Sequence, residues 1–157
     1  RRLFTHAIFT PGQPGWLEAL DAALALAPDS VKGYTVGDNT HKDRSRYPWR
    51  MDDERVAYRG YEKMLAAGVR NVCVHKGLFA PALDDRFPAL RPFADVSDVA
   101  QAAKDWPDLN FVIYHAGYRH VGGDPAVARA EFENTGRLDW VTDLAEIPER
   151  HGVNNVY

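Results

Sequence analysis

Asn71-Val72-Cys73-Val74-His75-Lys76-Gly77 is a short apolar run, rich in β-branched residues, that ends in an imidazole and a glycine. Such a run reads as a strand buried on both faces, as in a parallel sheet sandwiched by other structure. A second stretch has the same form: Asn110-Phe111-Val112-Ile113-Tyr114-His115-Ala116-Gly117. Each delivers a histidine, followed within two residues by glycine, to the carboxyl end of a strand. In parallel α/β sheets that end faces the ligand, so the two imidazoles define one candidate site for metal binding or proton transfer.

Outward from these runs the pattern alternates between strand and helix. Leu3 to Phe9 has strand composition and is broken by Pro11-Gly12-Gln13-Pro14-Gly15. Leu17, Leu20 and Leu24 then form one helical stripe that Pro28 closes, and Val31 to Val36 alternates like a strand. Gly37 to Trp49 is polar and irregular, the best candidate for a functional loop. Asp52 or Asp53 caps a helix with Ala57, Tyr61, Met64 and Gly68 on one face. After strand 71–76, a Pro-rich, charged loop from Leu78 to Pro92 leads to Asp95, which fits the N-cap of a helix containing Val96, Val99, Ala100 and Ala103. Strand 110–116 is followed by a loop from Gly117 to Pro125, a short helix near Ala126–Phe132, and a helix carrying Trp140, Leu144 and Ile147. The chain then closes on a fifth strand near Asn154. This order predicts a single α/β domain of parallel βα units, as a doubly wound sheet or a partial barrel.

The chain has 157 residues, 45% hydrophobic, with a formal net charge of −3 spread over interleaved signs. That composition supports one real core and excludes a nucleic-acid surface or a polybasic membrane face, leaving small molecules as the expected partners. No apolar window approaches the length of a membrane span, and no signal peptide is visible. The one cysteine, Cys73, sits in an apolar run and reads as packing in a reducing, cytoplasmic setting. Both ends look cut, without an initiator Met and with a strand just beginning at 154–157.

Strand alternation groups His75 with Cys73, and His115 with Ile113 and Phe111. If those sides are interior, neighbouring strands about 5 Å apart let both rings reach one ion at about 2 Å. The bland reading is two histidines bonded to backbone at loop junctions. Lys32 lies inside a strand, where a bare charge is costly; it is a carbamylated ligand, an anchor for a substrate carboxylate, or a lysine snorkelling to the sheet edge. Lys76 points opposite to His75 if alternation continues, and contacts substrate if it does not. His6 and His120 either line the pocket or are structural; His41 belongs to the polar loop and His151 to a helix end. No nucleophile elbow, P-loop, dinucleotide glycine motif or Cys-x-x-Cys pair is present.

Val72 to Gly77, Asn110 to Gly117 with the preceding Pro107-Asp108-Leu109, and the ending Ile147-Pro148 to Tyr157 resemble the amidohydrolase superfamily. The nearest branch is the amidohydrolase-related group that includes aminocarboxymuconate-semialdehyde-decarboxylase-like enzymes. The resemblance implies a metal-dependent (β/α)8 TIM barrel, with the strands here as its third to seventh. It implies His75 as a metal ligand for Zn or Mn and His115 as the catalytic proton-transfer or carbonyl-polarising group. It also puts Lys32 on the strand that carries a carbamylated lysine in two-metal members, while Lys32 and Lys76 are the candidates for substrate binding. The implied activity is hydrolysis of a small amide, ester, lactone or carboxylic-acid substrate through a metal-activated water, or decarboxylation on the same scaffold. The family's first-strand His-x-His and eighth-strand Asp have no counterpart in this sequence. A closed barrel takes about 250 residues, so the chain alone is expected to hold an incomplete site, to be inactive, and to expose sheet edges that favour a homo-oligomer. The competing expectation is a non-catalytic α/β binding domain with structural histidines.

Overall fold

The computed structural model describes residues 3–38, 40–120 and 125–157. Four parallel strands, β1 (His6–Phe9), β2 (Ser30–Tyr34), β3 (Asn71–His75) and β4 (Asn110–Tyr114), lie side by side in chain order. The expected fifth strand is present as one parallel bridge, Phe111 to Val156, with Phe111 N–H donating to Asn155 O at 2.8 Å and Ile113 N–H donating to Tyr157 O at 2.7 Å. The helices between strands are α1 (Trp16–Leu24), α2 (Ala57–Ala66), the short α3 (Pro81–Arg86) and α4 (Arg91–Ala94), and α5 (Val99–Asp105). After β4 come α6 (Pro125–Thr135), α7 (Val141–Ala145) and α8 (Ile147–His151). Among the described residues no helix is long and apolar enough to cross a membrane.

The sheet has two unlike faces. Ala7, Phe9, Val31, Val72, Val74, Phe111 and Ile113 point to one side and join the helices in the core. There Phe9 and Phe111 pack against Tyr61 of α2, with ring centroids 6.0 and 5.6 Å away. Three of the four residues of the expected α2 stripe enter the core, Ala57, Tyr61 and Met64 being fully buried, while Gly68 lies past the helix end and is exposed. The opposite side carries His6, Ile8, Lys32, Tyr34, Cys73, His75, Val112 and Tyr114. β2 and β3 are each paired on both sides; β3 is buried on both faces from Val72 to His75, whereas Tyr34 at the end of β2 is 39% exposed and Ile8 of the edge strand β1 is 64% exposed.

This polar side is concave. Three strand spacings separate β1 from β4, about 14 Å in a flat sheet. Yet the Tyr114 hydroxyl lies 3.4 Å from His6 Nε2, and their rings are 6.4 Å apart. Two facing side chains meet over that span only if the sheet curls toward them.

Several local expectations change. Neither Asp52 nor Asp53 caps α2, which starts after Val56 with no side-chain cap, because Asp53 Oδ1 accepts from Arg55 and Val56 N–H in the turn before it. The expected loop from Leu78 to Pro92 contains α3 and the start of α4. The N-cap expected at Asp95 falls three residues later: Asp95 instead accepts from Ser97 N–H and Oγ–H, and α5 begins after Asp98. The helix expected through Trp140 to Ile147 is two short helices, with Trp140 just before the first. The candidate loops at 37–49 and 117–125 lie partly outside the described residues, at 39 and at 121–124.

Candidate functional site

The two histidine turns meet backbone to backbone. Leu78 N–H donates to Tyr118 O at 2.6 Å, and a Cβ on Gly77 would fall 2.5 Å from that oxygen and 2.6 Å from the Gly117 carbonyl carbon. Gly77 and Gly117 also have φ of 81° and 69°, where a side chain is strained. The glycine after each histidine is therefore what allows the strand ends to close on one another.

His75 ends β3 level with Tyr34 and Tyr114. It is 4% exposed, and its Nδ1 lies 3.2 Å from His115 Nε2, the rings standing 4.7 Å apart at 67°. The Tyr34 ring covers it at 5.3 Å. Burial, then the neighbouring His115, then the Lys32 and Lys42 cations drive its pKa down to about 3, so the ring is neutral at pH 7 with lone-pair capacity. Its Nε2 is buried without a hydrogen-bond partner.

His115 reaches this position by a route that alternation misplaces. Phe111 and Ile113 face the helices, so continued alternation would send His115 there too. The strand instead ends at Tyr114, and His115 and Ala116 take φ of 63° and 49°. That turn swings the exposed imidazole to the concave side. The two rings do converge, though for a reason that alternation did not contain.

Lys32 is one of the concave-face residues. Its Nζ sits 4.2 Å from the Tyr34 ring centroid and 4.4 Å from that of Tyr114, and donates to Gly33 O at 3.2 Å. Burial lowers its pKa to about 8, against a raising influence from the Cys73 thiol. Lys32, Tyr34 and Tyr114 thus line the floor beside the histidines. The position of Tyr34 follows from its two-residue spacing from Lys32. Tyr114 was hidden by the wrong parity for β4.

Lys76 is placed elsewhere. It is fully buried on the far side of the strand end, donating to Asp98 Oδ2 at 2.7 Å and to Phe93 O at 3.0 Å. Asp98 Oδ2 also accepts from Met51 N–H at 2.8 Å. Burial pushes the Asp98 carboxyl above its ordinary value, against the Lys76 ammonium that holds it down. This geometry gives Lys76 a role behind the pocket and no contact with its open face. Asp98 was missed; the clue was that a lysine in an apolar run needs a buried carboxylate, and Asp98 precedes Ala102 by one helical turn on the buried side.

The other histidines divide. His6 joins the concave face, its Nδ1 2.6 Å from Ser30 Oγ. His120 faces Glu131 at 3.3 Å, His41 lies 3.8 Å from Asp38, and His151 ends α8 before Gly152. Among the described residues no three His, Cys, Asp or Glu side chains converge to hold a metal ion. The arrangement is a curled parallel sheet with two imidazoles, His75 and His115, at its carboxyl rim. Compared with protein-family models, with curated proteins and with solved structures, the chain gives no match.

Proposed function

We propose that this chain carries part of the active centre of a metal-dependent hydrolase of the amidohydrolase type, on a partial (β/α)8 barrel whose interior is the concave face. The observation that carries the reading is the His75–His115 pair, with nitrogens 3.2 Å apart. Two nitrogens bound at about 2.0–2.1 Å to one tetrahedral ion are themselves about 3.3 Å apart. The sequential strand order supports it as well, because a doubly wound sheet reverses direction at a switch point and a barrel does not.

The residues present fit half of a zinc or manganese site. His75 would hold the ion through its neutral ring with His115 Nε2 beside it as the second donor, and the remaining ligands must come from beyond the described residues. A divalent ion there supplies Lewis acidity and lowers the pKa of water toward neutrality. His115, exposed at the rim, would keep its other ring nitrogen free to pass a proton between the pocket and solvent. Lys32 offers the cationic side of its acid–base pair to a small substrate bearing a carboxylate, while Tyr34 and Tyr114 wall the floor. The class of substrate is a small amide, ester, lactone or carboxylic acid.

Elemental analysis after zinc loading tests this, with His75→Gln and His115→Gln compared to the unaltered chain and folding followed by circular dichroism. Metal content should fall sharply in each folded variant. Equal content in all three would return the histidines to a structural role in a non-catalytic binding domain.

A further inference from the structure

We propose that Lys32 is an amine that condenses with small reactive carbonyl compounds entering the concave face. Lys63 pairs with Asp21 at 2.8 Å and Lys76 with Asp98 at 2.7 Å, whereas among the described residues no carboxylate pairs with Lys32. Lys32 is 8% exposed, so its ammonium form gives up water without gaining a counter-ion. Its hydrogen-bond acceptor is the Gly33 carbonyl, which serves a neutral amine as well as a charged one.

The surroundings suit a carbonyl guest. The groups facing Nζ are Tyr34 on its own strand, Cys73 and His75 on β3, and Tyr114 on β4, with His6 of β1 beyond the Tyr114 hydroxyl. None is a carboxylate. The tyrosine rings form two walls, and the sheet is open toward β1, where Ile8 is 64% exposed. A desolvated lysine of this kind is the usual form of a lysine nucleophile.

In the reaction, the amine lone pair forms a C–N bond as the carbonyl π pair moves onto oxygen. The oxygen leaves as water, taking the two hydrogens that nitrogen gives up, and an imine remains. No oxidant or further reactant is needed. No ion at His75 is needed either, so the proposal stands or falls apart from the hydrolase reading.

The test uses the intact chain with glyoxylate as the carbonyl probe and cyanoborohydride to reduce the imine, followed by peptide mapping of the carboxymethyl group. Near neutral pH, Lys32 should be modified at least about tenfold faster than exposed Lys104, because its amine is desolvated, lacks a carboxylate partner and stands between two aromatic walls that hold the carbonyl compound against it. Chelator should leave that ratio unchanged, and unfolding in urea should abolish it. A Lys32 rate equal to or below that of Lys104, or a selectivity that survives urea, overturns the proposal. Labelling of unaltered chain decides the matter even if Lys32→Arg fails to fold; a folded Lys32→Arg should lose the fast-labelled peptide and no other.

Discussion

At the scale of single residues, His75 owes its chemistry to what surrounds it. An imidazole 4% exposed, beside a second imidazole and within the field of Lys32, gives up its proton far more readily than in water. The consequence for stability has a definite sign. Above pH 6.5 the ring is neutral in both folded and unfolded chains and contributes nothing. As pH falls below 6.5 the unfolded chain binds a proton that the native ring refuses until about pH 3, so stability is lost across that window. In chelator, urea unfolding should therefore show the unaltered chain losing up to about 1.4 kcal/mol per pH unit relative to His75→Gln between pH 6 and 4. Parallel stability profiles for the two proteins would show that the ring titrates normally.

At the scale of elements, the end of β3 is fixed from both sides. On the concave side Gly77 and Gly117 let two turns touch; on the helix side Lys76 and Asp98 tie the strand end to α5. The Thr35 hydroxyl adds a bond to His75 O at 3.3 Å, joining β2's continuation to the same point. The tie is a buried ion pair with both side chains at 0% exposure, so removing one charge strands the other. Lys76→Met should destabilise the fold by about 3–5 kcal/mol, and Lys76→Met combined with Asp98→Leu should recover most of that loss. Thermal and urea unfolding of the single and double variants measure it; a double variant no better than the single one would mean that the loss comes from something other than a stranded charge, such as the Met51 N–H that Asp98 also holds. This tie was only half legible in the sequence. A lysine in an apolar run needs a partner, but two acidic residues, Asp95 and Asp98, lie between the loop and α5, and local capping rules favour Asp95 over Asp98 because they see a helix start and not the packing behind it. The glycines were fully legible as positions, their purpose only once the turns were seen together.

At the scale of the molecule, the alternation of strands and helices was readable because each βα unit carries its own period, and the helix stripes at Leu20, Leu24, Tyr61 and Met64 are the ones that the core buries. Curvature was not readable, since it depends on contacts such as His6 to Tyr114 between strands 108 positions apart. The same curvature sets how firmly each strand is held. β3 is paired on both sides and buried at Val72, Cys73, Val74 and His75, while β1 is paired only with β2 and exposes both His6 and Ile8. Local opening scales with the loss of such pairing and burial, so amide exchange should be slowest in β3, intermediate in β2 and β4, and fastest in β1. Hydrogen-exchange mass spectrometry on the isolated chain checks this order. If a partner or a longer chain completes a barrel around the concave face, β1 gains its second neighbour, and its amides should slow toward those of β3. A β1 already as protected as β3 in the isolated chain would mean that its free edge is covered by something within the chain itself, and the partial-barrel reading would lose the open edge on which it depends.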